Sequence, residues 1–260
     1  MENTKEKTEE NEKMEEKEEE NKEEVLEKEE EVKSESKEVE VIYGKETIKS
    51  DVGSWNPKTK IGKLVKEGKI KEIDEVLEKY RILEAEIVDS LINLKTELLN
   101  IGQSKGKFGG GKRRAWRQTQ KKTAEGNVPT FSCLAVVGDE AGHVGLGLGK
   151  AKETLPAREK AIREAKLNII KVNRGCGSFD CSCNELHSIP HKVEGKCGSS
   201  RIILIPAPQG AGLVAGDECK KILKLAGIKD IYSQTFGQTR TTINLAKACI
   251  EALKKLKGEK

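Results

Sequence analysis

A chain of 260 residues, 35% charged and 35% hydrophobic, has room for one or two domains and holds no apolar run near the ~20 residues that cross a bilayer. Its net charge of +4 divides unevenly: residues 1–40 hold 19 Glu and 8 Lys, a balance of −11, so the remainder carries +15. A body that basic points to a polyanionic partner, nucleic acid first. Its 7 cysteines behind a charged start, without a signal-peptide pattern, point to thiols or metal ligation rather than a disulfide framework.

Residues 1–50 are almost all Glu, Lys, Asn, Ser and Thr. They carry too little apolar surface to offset the entropy of ordering, so an acidic disordered tail is expected. Residues 51–95 read as a lead-in of short helices. Ile73, Val76, Leu77 and Tyr80 recur at helical spacing, and so do Ile87, Leu91 and Leu94. Residues 96–174 read as a first α+β domain. It opens on a glycine-loosened basic loop, Ile101 to Lys122, with eight cations, no acid, and Phe108 and Trp116 interleaved. Phe131 to Val137 follows as a strand, residues 138–142 as a turn, and His143 to Gly149 as the returning strand. "ETLPAREKAIREAKLNIIKV" is the best helix in the chain. Thr154 is its candidate cap, Pro156 lies in its first turn, and Ala161, Ile162, Ala165 and Ile169 share a face. Residues 175–190 are a cysteine-rich junction. Residues 191–260 form a second α+β domain, with strands at "HKVEGKC" and "SRIILIPA", helices at "DECKKILKLAG" and "TRTTINLAKACIEALKKLKG", and a short strand and turn at "IKDIYSQTFG".

The junction spaces Cys176, Cys181, Cys183 and His187 as C-x(4)-C-x-C-x(3)-H. Three thiolates and an imidazole suit tetrahedral zinc and leave no open position for a reacting water, so a metal here would be structural. His191 and Cys197 are substitute fourth ligands, and reduced thiols in a loop are the other reading. Cys133, Cys219 and Cys249 sit singly among apolar neighbours and are expected as buried small side chains. For RNA, Lys105, Lys107, Lys112, Arg113, Arg114 and Arg117 are the expected phosphate contacts, with Trp116 able to stack on a base. Lys121, Lys122 and Lys150 are further candidates. "GKFGGGK" lacks the hydroxyl residue of a nucleotide-binding loop, since Arg113 stands there. Glycine at 145, 147 and 149 strips one face of a strand. Either RNA or another backbone approaches it, or the helix from Thr154 packs on it. "PAPQGAGLVAGD" is a glycine-rich turn similar to the phosphate loop of galactokinase-type kinases, without their serines. With no carboxylate pair, no Ser-His-Asp set and three histidines, neither catalysis nor a catalytic cofactor is expected.

"FSCLAVVGDEAGHVGLGLGKAKET" with the helix after it, and "HSIPHKVEGKCGSSRIILIPAPQGAGLVAGDECKKILKLAGIKDIYSQTFGQTRTTINLAKACIEAL", resemble the two domains of the small-subunit ribosomal protein five family. The resemblance covers roughly residues 53–256. "WNPKTKIGKLVKEGKI" resembles the lead-in of its archaeal and eukaryotic branch, and "RGCGSFDCSCNELHSIP" looks archaeal; eukaryotic members keep a counterpart of His187 without the cysteines. The resemblance implies a double-stranded-RNA-binding-like first domain and a left-handed β-α-β second domain. It implies a structural constituent of the small ribosomal subunit, cytoplasmic and ribosome-bound. Such a constituent binds small-subunit ribosomal RNA beside proteins three, four and eight, lines the messenger RNA entry path and influences decoding accuracy. It implies no membrane and no small-molecule substrate, and puts the first domain's basic loop at Lys121 to Phe131. A free regulatory RNA-binding protein and, more distantly, a kinase-like enzyme are the rival classes.

Overall fold

The computed structural model describes residues 55–103, 113–181, 183 and 185–256. The expected tail at 1–50, and Lys105, Lys107, Phe108 and Lys112, lie outside the described residues. The chain runs as three short helices, α1 (Lys60–Lys66), α2 (Ile73–Lys79) and α3 (Ala85–Leu91), then strands β1 (Lys95–Leu99), β2 (Trp116–Thr123), β3 (Gly126–Gly138) and β4 (His143–Ala151). Helix α4 (Thr154–Leu167) and strand β5 (Ile169–Lys171) complete the first half. The second half is β6 (Val193–Cys197), β7 (Ser200–Pro206), β8 (Leu213–Val214), α5 (Asp217–Leu225), β9 (Ile231–Phe236) and α6 (Thr242–Lys255).

The α+β class holds, and two sheets carry it. In the first, β3 pairs antiparallel with β4 on one side. On the other side it pairs with β2 along Gly126–Cys133 and with β1 along Leu134–Gly138, and β5 closes the far edge against β4. In the second the order is β6-β7-β9-β8, antiparallel except that β8 and β9 run parallel across α5. That parallel pair is the β-α-β unit the resemblance implied.

Period-two alternation along β3 divides its side chains between two cores. Cys133, Ala135 and Val137 face α4 and the lead-in helices, whereas Leu134 and Val136 join a cluster with Ile222, Leu223 and Leu253 of the second half. Helix α4 lies directly on β4: a Cβ on Gly145, Gly147 or Gly149 would fall on the backbone of Ala165, Ala161 or Ala157. Helix packing is therefore what the alternating glycines are for, and no RNA face is left there.

Several expectations need correction. Residues 116–123 form a strand, not a loop, and Lys121 to Phe131 is the β2–β3 hairpin. Helix α4 ends at Leu167, and Ile169 and Ile170 pair with β4 instead, because β-branched residues beyond the kink at Asn168 (φ −105, ψ 30) favour an extended edge. The N-cap of α4 is Glu153, with no side-chain cap bond, and Thr154 is already helical.

The lead-in helices are held by charge as well as by apolar contact. Lys166 of α4 reaches Asp89 at 2.7 Å with both side chains buried. His143 is clamped between two carboxylates, Nδ1 at 2.6 Å from Asp139 and Nε2 at 2.9 Å from Asp74, and Asp74 also binds Lys171 at 2.5 Å. Burial alone would lower the His143 pKa, but hydrogen bonds to Asp139 and Asp74 more than offset it, so the imidazolium is favoured. Burial would raise both carboxylates, and hydrogen bonds, from Lys171 and His143 to Asp74 and from His143 to Asp139, bring them below their ordinary value. A raised histidine stabilises fully below its unfolded value of 6.5 and loses that contribution as pH rises through the folded value. The depressed carboxylates lose theirs as pH falls through folded values below 3.8. Melting temperature is therefore expected to fall as pH rises from 6.5 through the folded value of His143. In His143→Gln the dependence flattens, and an unchanged pH profile in that variant would remove the clamp from the account.

Candidate RNA face and cysteine-histidine centre

The β2–β3–β4 register decides which predicted cations meet. Arg117 lies opposite Ser132, and Ser132 opposite Lys150, so both cations share one sheet row and one face. Lys121, four residues along β2, points the same way. Trp116 pairs with Cys133, which faces α4, so Trp116 and Lys122 point to the other face. Arg117, Lys121, Lys122 and Lys150 are exposed, and Trp116 is half-buried. Arg113 and Arg114 are exposed on the approach to β2, where the Arg114 carbonyl accepts from Gly102 N–H at 2.8 Å. The structure thus brings together Arg117, Lys121 and Lys150 and sets Trp116 and Lys122 apart from them. Within reach of a duplex, such a row contacts phosphates rather than base edges.

The second site is built by the junction loop. Gly175 and Ser188 exchange two backbone hydrogen bonds, each 2.9 Å, which sets Cys176 against His187. Gly177 is a position where a Cβ would strike the Pro190 carbonyl, so the loop turns there only with glycine. The ligand atoms of Cys176, Cys181, Cys183 and His187 all lie within 4.8 Å of one another. Cys181 Sγ is 3.0 Å from Cys183 Sγ and 3.7 Å from His187 Nε2. Tetrahedral zinc with Zn–S of ~2.3 Å and Zn–N of ~2.0 Å needs donors roughly 3.5 Å apart, so this set fits the ion with small adjustments. The hydrogen bond between Cys181 and Cys183 draws the Cys181 thiol down to about 6 and pushes Cys183 up to about 11. Neither His191 nor Cys197, the substitute ligands considered from sequence, belongs to the cluster.

Sequence reasoning missed Asp230. Its Oδ2 holds His187 Nδ1 at 2.9 Å, which leaves Nε2 facing the sulfurs. This is the carboxylate–histidine arrangement that orients metal-binding imidazoles. Its other oxygen accepts from Gly210 N–H at 3.1 Å and Gly212 N–H at 2.8 Å, and its own N–H and that of Lys229 donate to the His187 carbonyl. An internal carboxylate therefore fills the glycine-rich turn where a kinase-type loop would offer its N–H groups to phosphate. The same hub ties His187 to the start of β9 and to the glycine-rich turn through protein groups alone.

Comparison with known proteins agrees with this architecture. Residues 112–173 match the family described as ribosomal protein S5, N-terminal domain, and residues 195–260 match ribosomal protein S5, C-terminal domain. Similar proteins include the small ribosomal subunit protein uS5 of Nanoarchaeum equitans, 56% identical over 79% of this chain and 89% of that one. The namesake of Thermofilum pendens is 51% identical over 78% and 94%. That of Methanocaldococcus jannaschii is 48% identical over 80% and 90%. With both domains matched in order and about half of the positions identical, the chain belongs to the ribosomal protein S5 family as an archaeal-type member.

Proposed function

We propose that this protein is a structural, non-enzymatic constituent of the small ribosomal subunit in the cytoplasm, bound to small-subunit ribosomal RNA. The observation that carries the reading is identity of 56% across both domains to a relative named as a small ribosomal subunit protein, with 89% of that relative covered. Arg117, Lys121 and Lys150 contact phosphates from one face of the first sheet, joined by Arg113 and Arg114 and by Lys105, Lys107 and Lys112. Lys122 and Trp116 meet RNA from the opposite face. The reading extends to a position beside proteins three, four and eight near the messenger RNA entry path, with an influence on decoding accuracy. Cys176, Cys181, Cys183 and His187 hold one structural zinc, which ties the junction between the two halves and performs no catalysis; the closed donor set and the Asp230 support favour this.

In a sucrose gradient of cell lysate, the tagged protein is expected to remain stoichiometric in the small-subunit peak after a high-salt wash. Recovery mainly in light fractions would move the free RNA-binding reading to the front. The cation row has its own test. On an RNA duplex of about 20 base pairs, Arg117→Gln, Lys121→Gln and Lys150→Gln together are expected to reduce the slope of log affinity against log salt by about three, roughly one for each phosphate no longer neutralised. An unchanged slope would place the RNA-binding cations elsewhere.

A further inference from the structure

The second sheet has one face under helices and one face open. Val193, Ile202, Leu204 and Ile231 are buried on the inner side, and Gly195 lies beneath Ala248 and Ala252 of α6. Alternation turns the intervening residues outward. The register sets them in rows: Lys196 beside Arg201 beside Phe236, Glu194 beside Ile203 beside Gln234, and Ile205 beside Tyr232 beside Val214. Phe236 is 50% exposed and Tyr232 40%, and Lys196 and Arg201 are exposed, whereas Ile203 and Ile205 are half-buried between their neighbours. The side chains that stand proud are therefore two aromatics, two cations and Val214, with the amide of Gln234 between the aromatics and the Glu194 carboxylate on the β6 edge.

That combination fits one chemistry. A base stacks on each aromatic ring whatever its identity, and cations at the edge meet the phosphates between bases. Arg201, directly opposite Phe236, can also lie over a stacked base. A protein-docking face would thin out lysine and carboxylate at its centre, but here the middle row carries Glu194 beside Ile203 and Gln234, and Lys196 stands beside Arg201 in the next row. Tyr232 and Phe236, four residues apart on one strand, are about 13 Å apart, so a short unpaired run bridges them. Duplex RNA cannot stack on these rings, because its bases are stacked on one another.

We propose that the outer face of the β6-β7-β9-β8 sheet binds unpaired RNA, with bases on Tyr232 and Phe236 and phosphates on Lys196 and Arg201. The inference rests on the RNA-binding role proposed above and adds to it a second surface with a different substrate, single strand rather than duplex.

The test uses the full chain and two labelled probes, an oligouridylate of about ten nucleotides and an RNA duplex of about 20 base pairs. Tyr232→Leu combined with Phe236→Leu preserves apolar bulk while removing the ring faces. It is expected to weaken oligouridylate binding at least tenfold and to leave duplex binding within twofold. Oligouridylate affinity within twofold of the native value would overturn the proposal while leaving the duplex-binding row intact. Failure of the native chain to bind duplex would instead sink the reading of the first sheet. Variants that bind oligouridylate normally yet fail to enter the small-subunit peak would assign the face to a neighbouring protein and overturn the RNA assignment. Should the double variant melt early, photocrosslinking of 4-thiouridine-substituted oligonucleotide to the native chain decides: adducts within residues 231–236 support the proposal, and adducts confined elsewhere end it.

Discussion

Gly147→Ala is expected to cost about 3 kcal/mol, at the upper end of what overpacking a core exacts, and to lower the melting temperature by about 10 °C. The reason is that the added methyl meets backbone, not side chain. A Cβ at Gly147 would lie 2.2 Å from both the Ala161 carbonyl oxygen and the Ala165 amide nitrogen, and 2.8 Å from the Glu164 carbonyl carbon. No rotamer change relieves a clash with a helix backbone, so α4 must lift off the sheet along its whole contact. That would open the core in which Ala157, Ala161, Ile162 and Ala165 pack on Cys133, Ala135 and Val137. Gly216→Ala is the matched control. Its φ of −63 suits any residue and nothing lies within 4 Å, so the change should cost less than about 1 kcal/mol even at the N-cap of α5. Urea denaturation of the two variants, with equal m-values, measures the contrast. A Gly147→Ala midpoint indistinguishable from that of Gly216→Ala would mean that α4 is not seated on β4 as described. Gly195, beneath the Ala248 carbonyl and Ala252 on α6, repeats the device in the second half, so each sheet seats its long helix on glycine.

What could be read from the residues follows from where periodicity has a buried face to report. Helices α2 to α6 each set an apolar stripe against a core, and the β3–β4 hairpin joins two apolar runs by a four-residue turn, so all were legible. Strand β2 was not, because "WRQTQKKT" is exposed along nearly its whole length and has no apolar alternation. Only its register against β3 makes it a strand. Strand β5 was absorbed into α4, since Ile169 fits the face of a helix as well as the edge of a sheet. Strand β8 is two residues long, and β1, with only Leu99 fully buried, carried little pattern. The same division runs through the sites. Four candidate ligands within twelve residues announce themselves by spacing. Asp230 stands 43 residues from His187 and is brought there by the chain reversal through β6, β7 and α5. The Arg117–Lys150 row joins residues 33 apart and Arg201 meets Phe236 across 35, and both rows exist only once register is known.

Removing zinc is expected to have the largest effect on the junction and a graded one on the second sheet. The native chain should carry one equivalent of zinc, and stripping it with a chelator should lower the melting temperature by at least about 10 °C. A structural zinc contributes its binding free energy to folding, and here both cores supply the rest of the stability. The damage should travel along a defined route. His187 grips Asp230, Asp230 pins the turn at Gly210 and Gly212, and the residue after Asp230 begins β9. Faster amide exchange at residues 207–214 and at Ile231 is therefore expected on metal loss, with α4 and β3 unaffected. Asp230→Asn separates the links in that route. An amide oxygen can still accept from Gly210 and Gly212, but the charge facing His187 Nδ1 is gone, so zinc affinity should fall about 10- to 100-fold while the metal-loaded fold persists. Cys183→Ser should abolish stoichiometric zinc, because three donors remain and the closed tetrahedron is lost. A native chain purified without metal, with a melting temperature that added zinc does not raise, would leave the three cysteines as reduced thiols and His187 as a purely structural hub.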